Sequence, residues 1–362
     1  MEPLVAEAGS SDLCSDDRLV EARPWKEREK DRLLNLMWVM FDKSSDERKL
    51  VKGKKMQLEP EEGSIADHDD RKGLDPNQIY ILYLCAAQIL SMPFTSTTRA
   101  PTCAYPCNAL QICSIEVLVP FAGLDWPLDV FGTISVRDSA DQMRNIIYSR
   151  TRDTCQNLTP EESVLTLTGP SRAVVLDPET KLVMLEVELK VKGTNESHDK
   201  YVSFLAEPVM FPTDAVGFVP FDFISKLSVL RFMLANVPDS VEATIFIRVV
   251  KGSWPVGSHG NIIVRVDSVS IVLLQFQSDK VPVGADGDVE LSRHVVSVGV
   301  DKKLHLDVSY CGRVVGDGSA HFKAATNGRS ITNIKIGTGM LQVLVAWSLV
   351  SPVFEGTSSW LI

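Results

Sequence analysis

Positive charge is in short supply along this chain: 37 Lys and Arg stand against 47 Asp and Glu, a formal net charge of −10. Phosphate binding rests on clustered Lys and Arg, so the overall balance argues against a dominant nucleic-acid face. An apolar run of the ~20 residues that a membrane-spanning helix needs is also missing. The nearest approach, residues 79–92 with Ile79, Tyr80, Ile81, Leu82, Tyr83 and Leu84, is too short and suits a buried strand or a short helix. No paired-cysteine framework is present. Cys14, Cys85, Cys103, Cys107, Cys113, Cys155 and Cys311 are scattered, which points to free thiols in a reducing compartment. The acidic, Ser-rich residues 1–17 lack the positive and apolar regions of a secretory signal. The chain is therefore expected in the cytoplasm or nucleus, where the sequons at Asn157 and Asn195 are chance matches.

Catalytic signatures are equally sparse. The six histidines (His68, His198, His259, His294, His305, His321) show no i, i+4 pair and no His-Glu-x-x-His; no nucleophile elbow, P-loop or dinucleotide fingerprint occurs. Cys103, Cys107 and Cys113 are loosely spaced without a fourth ligand, whereas structural zinc needs four. Neither a metal nor a cofactor is expected. Asp125, Asp129, Asp138 and Asp141 flank one strand as calcium-binding loops do, although solvated turns are the plainer reading. Arg137, Arg144, Arg150 and Arg152, with Tyr148 for stacking, could line an anion or RNA surface. Asp138, Asp141 and Asp153 interleave with them, so local neutralising pairs are preferred. Trp126, beside Pro127 at a strand entry, reads as a core anchor.

What the sequence does contain falls into two parts. Of the first 75 residues 33 are charged, against 51 of the other 287, and so charged a segment is expected to be mostly disordered. Within it, residues 25–41 carry Leu33, Leu34, Met37 and Phe41 and read as a short helix that docks on a neighbour. Residues 76–108 comprise the apolar element and a Pro/Thr/Ser linker. From residue 109 to 350 the pattern becomes period two: Ile115 and Val117, residues 130–136, 164–167, 186–192, then Ala243, Ile245, Ile247 and Val249 with Glu242, Thr244 and Arg248 opposite, and residues 262–266, 269–276, 295–300, 304–310 and 341–347. Turn residues separate these runs, at 177–180, 192–195, 284–287, 316–318 and 326–328. Short alternating strands at this spacing specify an all-β fold of antiparallel sheets, a sandwich or barrel-like region of one large or two lobes. One helix is expected there, over residues 221–236, where Phe223, Ile224, Leu227, Leu230, Arg231 and Leu234 approximate a 3.6 period and mark a junction between lobes. Residues 351–362 form a tail.

Several runs in this region carry a family resemblance: 110–117, 126–138 from Trp126 to Asp138, 145–153 from Asn145 to Asp153, Cys155-Gln156, 165–172, 187–193, 241–245 and the strand 339–349. Together they resemble the plant domain-of-unknown-function family DUF6598, abundant in grasses, over roughly residues 109–350. The resemblance implies no established activity, and relatives are associated with ribosome-inactivating rRNA N-glycosylases. Such an enzyme would present a helix with Glu and, three residues on, Arg followed by Phe. Here Ser228 occupies the Glu position before Arg231 and Phe232, and the charge that would stabilise the transition state is missing. The expectation is a non-enzymatic interaction domain with a protein partner, and the alternative a defence-related protein without the catalytic Glu.

Overall fold

Alternating apolar side chains close into sheets only when one face finds a core, and the strands here do so twice. The computed structural model describes residues 104–120, 124–138, 143–176, 182–212, 217–225, 227–255, 257–277, 282–312 and 316–349, all within one compact unit, Ala66–Ile362. The expected disordered segment, the helix at 25–41 and the apolar element at 79–92 lie outside the described residues. The strands are β1 (Cys107–Pro120), β2 (Leu128–Arg137), β3 (Asn145–Arg150), β4 (Gln156–Leu158), β5 (Val174–Val175), β6 (Leu182–Val191), β7 (Lys200–Met210), β8 (Phe218–Ile224), β9 (Ser228–Lys251), β10 (His259–Val266), β11 (Val269–Phe276), β12 (Val295–Gly299), β13 (Lys303–Cys311), β14 (Gly316–Lys323), β15 (Arg329–Ile336) and β16 (Gly339–Ser348). Among the described residues the helical content is two 3-10 turns, Arg152–Thr154 and Glu196–His198.

The strands form three antiparallel sheets: β15-β16-β9-β1-β5 with β8 and β12 also on β9, β11-β10-β13-β14, and β3-β2-β6-β7 with β4 on β2. The architecture is thus the all-β sandwich type expected from the alternation, and it has two cores rather than one. β9 serves both. Its even-numbered Leu230, Phe232 and Leu234 enter the core shared with β2, β3 and β6, while its odd-numbered Val241, Ala243, Ile245 and Ile247 enter the core shared with β10, β11 and β13. The changeover falls between Leu234 and Ala235, which enter the first and the second core respectively; a few residues on, at Pro238 and Asp239, the β1 register shifts and Asp239 takes a positive φ of 44°. An irregularity of this kind in a ladder re-aims the strand.

β1 carries a second shift, between Ile112 and Ser114, with Cys113 as the extra residue. It moves the buried set from Leu110 and Ile112 to Ile115 and Val117. The fully buried Arg293 donates from Nη1 to the Ile112 carbonyl at 3.0 Å, and Gln111 Nε2 donates to the same oxygen at 3.3 Å. The pair caps an acceptor at the point where the ladder is interrupted.

The helix expected over residues 221–236 is absent. β8 and β9 form a hairpin there, pairing Phe218 with Ala235 through Ile224 with Val229. Residues 164–167 are extended but joined to β1 by a single bridge, Val164 with Glu116, and on their other side the Thr166 amide donates to the Gln156 side chain. Gly316 to Gly318, expected as a turn, opens β14. A Cβ would collide with the Tyr310 hydroxyl at Gly316 and with the Ile334 side chain at Gly318, so these glycines permit close packing rather than a bend.

Trp347 is fully buried in the second core, and its Nε1–H donates to Ser330 Oγ at 2.9 Å. Removing the hydroxyl strands a buried donor, so Ser330→Ala is expected to cost about 1–2 kcal/mol, read as a lower urea midpoint at unchanged m-value.

Candidate functional site

The arginines of 137–152 come together with carboxylates from elsewhere in the chain. Glu186 on β6 is buried and accepts from Arg137 Nε at 2.6 Å and Arg144 Nε at 2.7 Å. Arg152 forks onto Asp199, with Nε–Oδ2 at 3.0 Å, and donates from Nη2 to the Gly193 carbonyl at 2.9 Å. Neutralising pairs are present, but Glu186 and Asp199 supply these three rather than the interleaved aspartates. Tyr148 is fully buried and donates to the Val130 carbonyl at 3.2 Å, which removes it as a stacking platform. Trp126 packs half-buried against the first core.

Among the described residues the aspartates do not assemble as a cation site. Asp129 accepts from Asn157 Nδ2 at 2.9 Å, and Asp141 lies outside the described residues. Asp138 is buried and takes a bidentate ion pair from Arg172, at 2.7 and 2.8 Å, together with the Val175 amide at 2.8 Å. Among the described residues no three His, Cys, Asp or Glu side chains cluster to hold a metal ion. Cys103 lies outside the described residues. Cys107 and Cys113 are free and burial pushes both thiols up to about 12. Such thiols are not nucleophiles at neutral pH.

Beside Asp138 and Arg172 stands Glu242, expected on the polar face of its strand but fully buried. It accepts from the Ala173 amide at 2.8 Å and the Thr244 hydroxyl at 3.3 Å. Burial raises its pKa to about 7, against the opposing pull of Ala173, Arg172 and Thr244. The group ties the end of β2, the start of β5 and the middle of β9 together. It is a structural junction.

The glycosylase-like motif has a different geometry from the helix it would need. Ser228 Oγ donates to the Val202 carbonyl at 2.7 Å, Phe232 is buried in the first core, and Arg231 forms an exposed bidentate pair with Asp222 across the β8–β9 hairpin. That pair raises the Arg231 pKa and lowers that of Asp222.

The surface offers a feature that alternation alone could not locate. Register aligns Ile331 on β15, Leu344 on β16 and Phe246 on β9 in one row across the outer face of the seven-stranded sheet. Ile331 is 56% exposed and Phe246 50%, and the His294 ring lies 5.8 Å from that of Phe246. The next rung, Asn333, Gln342 and Arg248, is polar, with Arg248 paired to Asp288. On the β15 face, Arg329 and Lys335 flank Ile331 and have no ion pair among the described residues. Edge strands β7 and β8 carry Pro208 and Pro220, which blunt them against strand addition.

Among the described residues no helix is long and apolar enough to cross a membrane. No curated protein matches the chain. Solved structures of extended-synaptotagmin 2 are similar in part. A structure of its two C2 domains covers 74% of this chain and 99% of that chain at 8% identity and TM-score 0.25. A calcium-bound form of the same pair covers 71% and 100% at 9% identity and TM-score 0.24. Likeness at that level carries no argument about either fold or ligand. The family model for the domain of unknown function DUF6598 matches residues 109–345, the strand-rich region that builds both cores, and the chain belongs to that family.

Proposed function

We propose that this chain is a non-enzymatic binding protein whose second lobe takes a protein partner on the outer face of β9, β16 and β15. The observation that carries this reading is the row of Ile331, Leu344 and Phe246, of which Ile331 and Phe246 are exposed and Leu344 is half-buried. Contiguous apolar surface on a sheet face is the mark of an interaction site, and the aromatic at its β9 end is the residue type that anchors such contacts. The flanking Arg329 and Lys335 select the partner's chemistry: apolar side chains bordered by carboxylates, which would pair with these cations at the polar rim.

Photo-crosslinking tests the reading by position. The full chain, carrying benzoylphenylalanine at Phe246, is expected to give a defined heterologous adduct in cells that express it. The same probe at Val272, which is 47% exposed on the four-stranded sheet, should give none. The adduct should weaken when Arg329 and Lys335 are changed to Glu. Equal labelling at 246 and 272, or none at 246, overturns the reading. An adduct of twice the chain mass replaces the acidic partner with a second copy of the chain.

A further inference from the structure

We propose that His305 and His321 together form a binding site for a divalent transition-metal ion of tetragonal preference, the nickel(II) or copper(II) class. β13 and β14 pair in four outward-facing rungs: Lys303 with Lys323, His305 with His321, Asp307 with Ser319, and Ser309 with Asp317. The alternate positions of both strands, Leu304, Leu306, Val308, Ala320 and Phe322, are buried in the second core. Period two therefore holds both imidazoles on the solvent side, directly opposite each other. Their ring centroids are 4.6 Å apart and their Nδ1 atoms 2.7 Å apart.

Two ring nitrogens this close converge on a point between them that one proton or one metal ion can fill. With metal–imidazole bonds of about 2.0 Å, ligands at a right angle place their nitrogens about 2.8 Å apart, and ligands at the tetrahedral angle about 3.3 Å. The observed separation fits the first geometry, which nickel(II) and copper(II) favour over zinc. The strand ladder already fixes both ligands, so binding orders little that is not ordered beforehand.

The surroundings describe a site with open positions rather than a structural one. Arg265, opposite His305 on β10, is engaged with Asp307 at 2.7 Å. Lys303 and Lys323 lie one rung away and weaken the local field for a cation. Since no third ligating side chain joins the pair among the described residues, water or a second molecule completes the coordination.

Nickel(II) alone is the probe, titrated into the full chain labelled with 15N-histidine. Substoichiometric metal is expected to broaden the imidazole signals of His305 and His321 first. Calorimetry should show affinity falling roughly 100-fold on His305→Gln or His321→Gln, since either change removes the second anchored ligand. His259→Gln, on the exposed start of β10, should leave it unchanged. Both histidines are on the surface face, so unaltered circular dichroism separates ligand loss from misfolding. Broadening centred elsewhere, or an unchanged affinity in His321→Gln, overturns the proposal, and zinc binding more tightly than nickel overturns the assigned geometry.

Discussion

Asp138→Asn is expected to lower stability by about 3–5 kcal/mol, the cost of leaving one member of a buried ion pair uncompensated. At about 2–4 °C per kcal/mol for a unit of this size, the melting temperature should fall by roughly 10 °C. The side chains of Asp138 and Arg172 are each 1% exposed, so no solvent screens the loss. Asparagine keeps one oxygen for the Val175 amide but turns an NH2 toward the guanidinium, replacing an attraction with two facing donors. The partner change Arg172→Met in the same chain should recover much of the deficit, because it removes the buried guanidinium left uncompensated by the first change. Thermal unfolding followed by circular dichroism reads both variants. A loss below 1 kcal/mol in Asp138→Asn would mean that the pair is reached by water, and the geometry would then have to open at this junction.

Much of the strand pattern was legible from alternation alone, and the failures have particular causes. Residues 221–236 imitate a helix because Phe221 and Phe223 lie on the inner face at odd positions, whereas Leu230, Phe232 and Leu234 lie there at even ones. The hairpin turn switches the parity, and two period-two runs out of phase leave spacings of three and four. Glu186 and Glu242 were readable as alternating polar positions but not as buried ones. What covers them, Arg137 and Arg144 in one case and the segment at Ala173 in the other, arrives from strands 42 to 69 residues away. His305 and His321 share no motif spacing. They become a pair only through the antiparallel register of β13 and β14, whose partners are equidistant from position 313, a signal that exists in the sequence once Gly316 and Gly318 are placed inside a strand. The Ile331–Leu344–Phe246 row needs two such registers at once, including β15, which the alternation did not resolve.

Glu242 makes stability depend on pH in the direction opposite to that of an ordinary surface carboxylate. Its folded pKa of about 7 lies above the 4.5 of an unperturbed glutamate because burial favours the neutral acid. The folded state thus holds a proton that the unfolded chain releases. The resulting stabilisation is fully present below about pH 4.5 and is lost as pH rises through about 7. At about 1.4 kcal/mol per pKa unit, the whole change is roughly 3 kcal/mol. Urea midpoints at pH 5, 6, 7 and 8 are expected to fall from pH 5 to 7 in the wild type and to level off by pH 8. Glu242→Gln keeps an oxygen for the Ala173 amide and cannot ionise, so its midpoints should stay nearly flat over this range and exceed those of the wild type at pH 8. Parallel slopes in the two proteins would show that Glu242 reaches solvent or a compensating cation when ionised, and the pH dependence would then have to arise at another group.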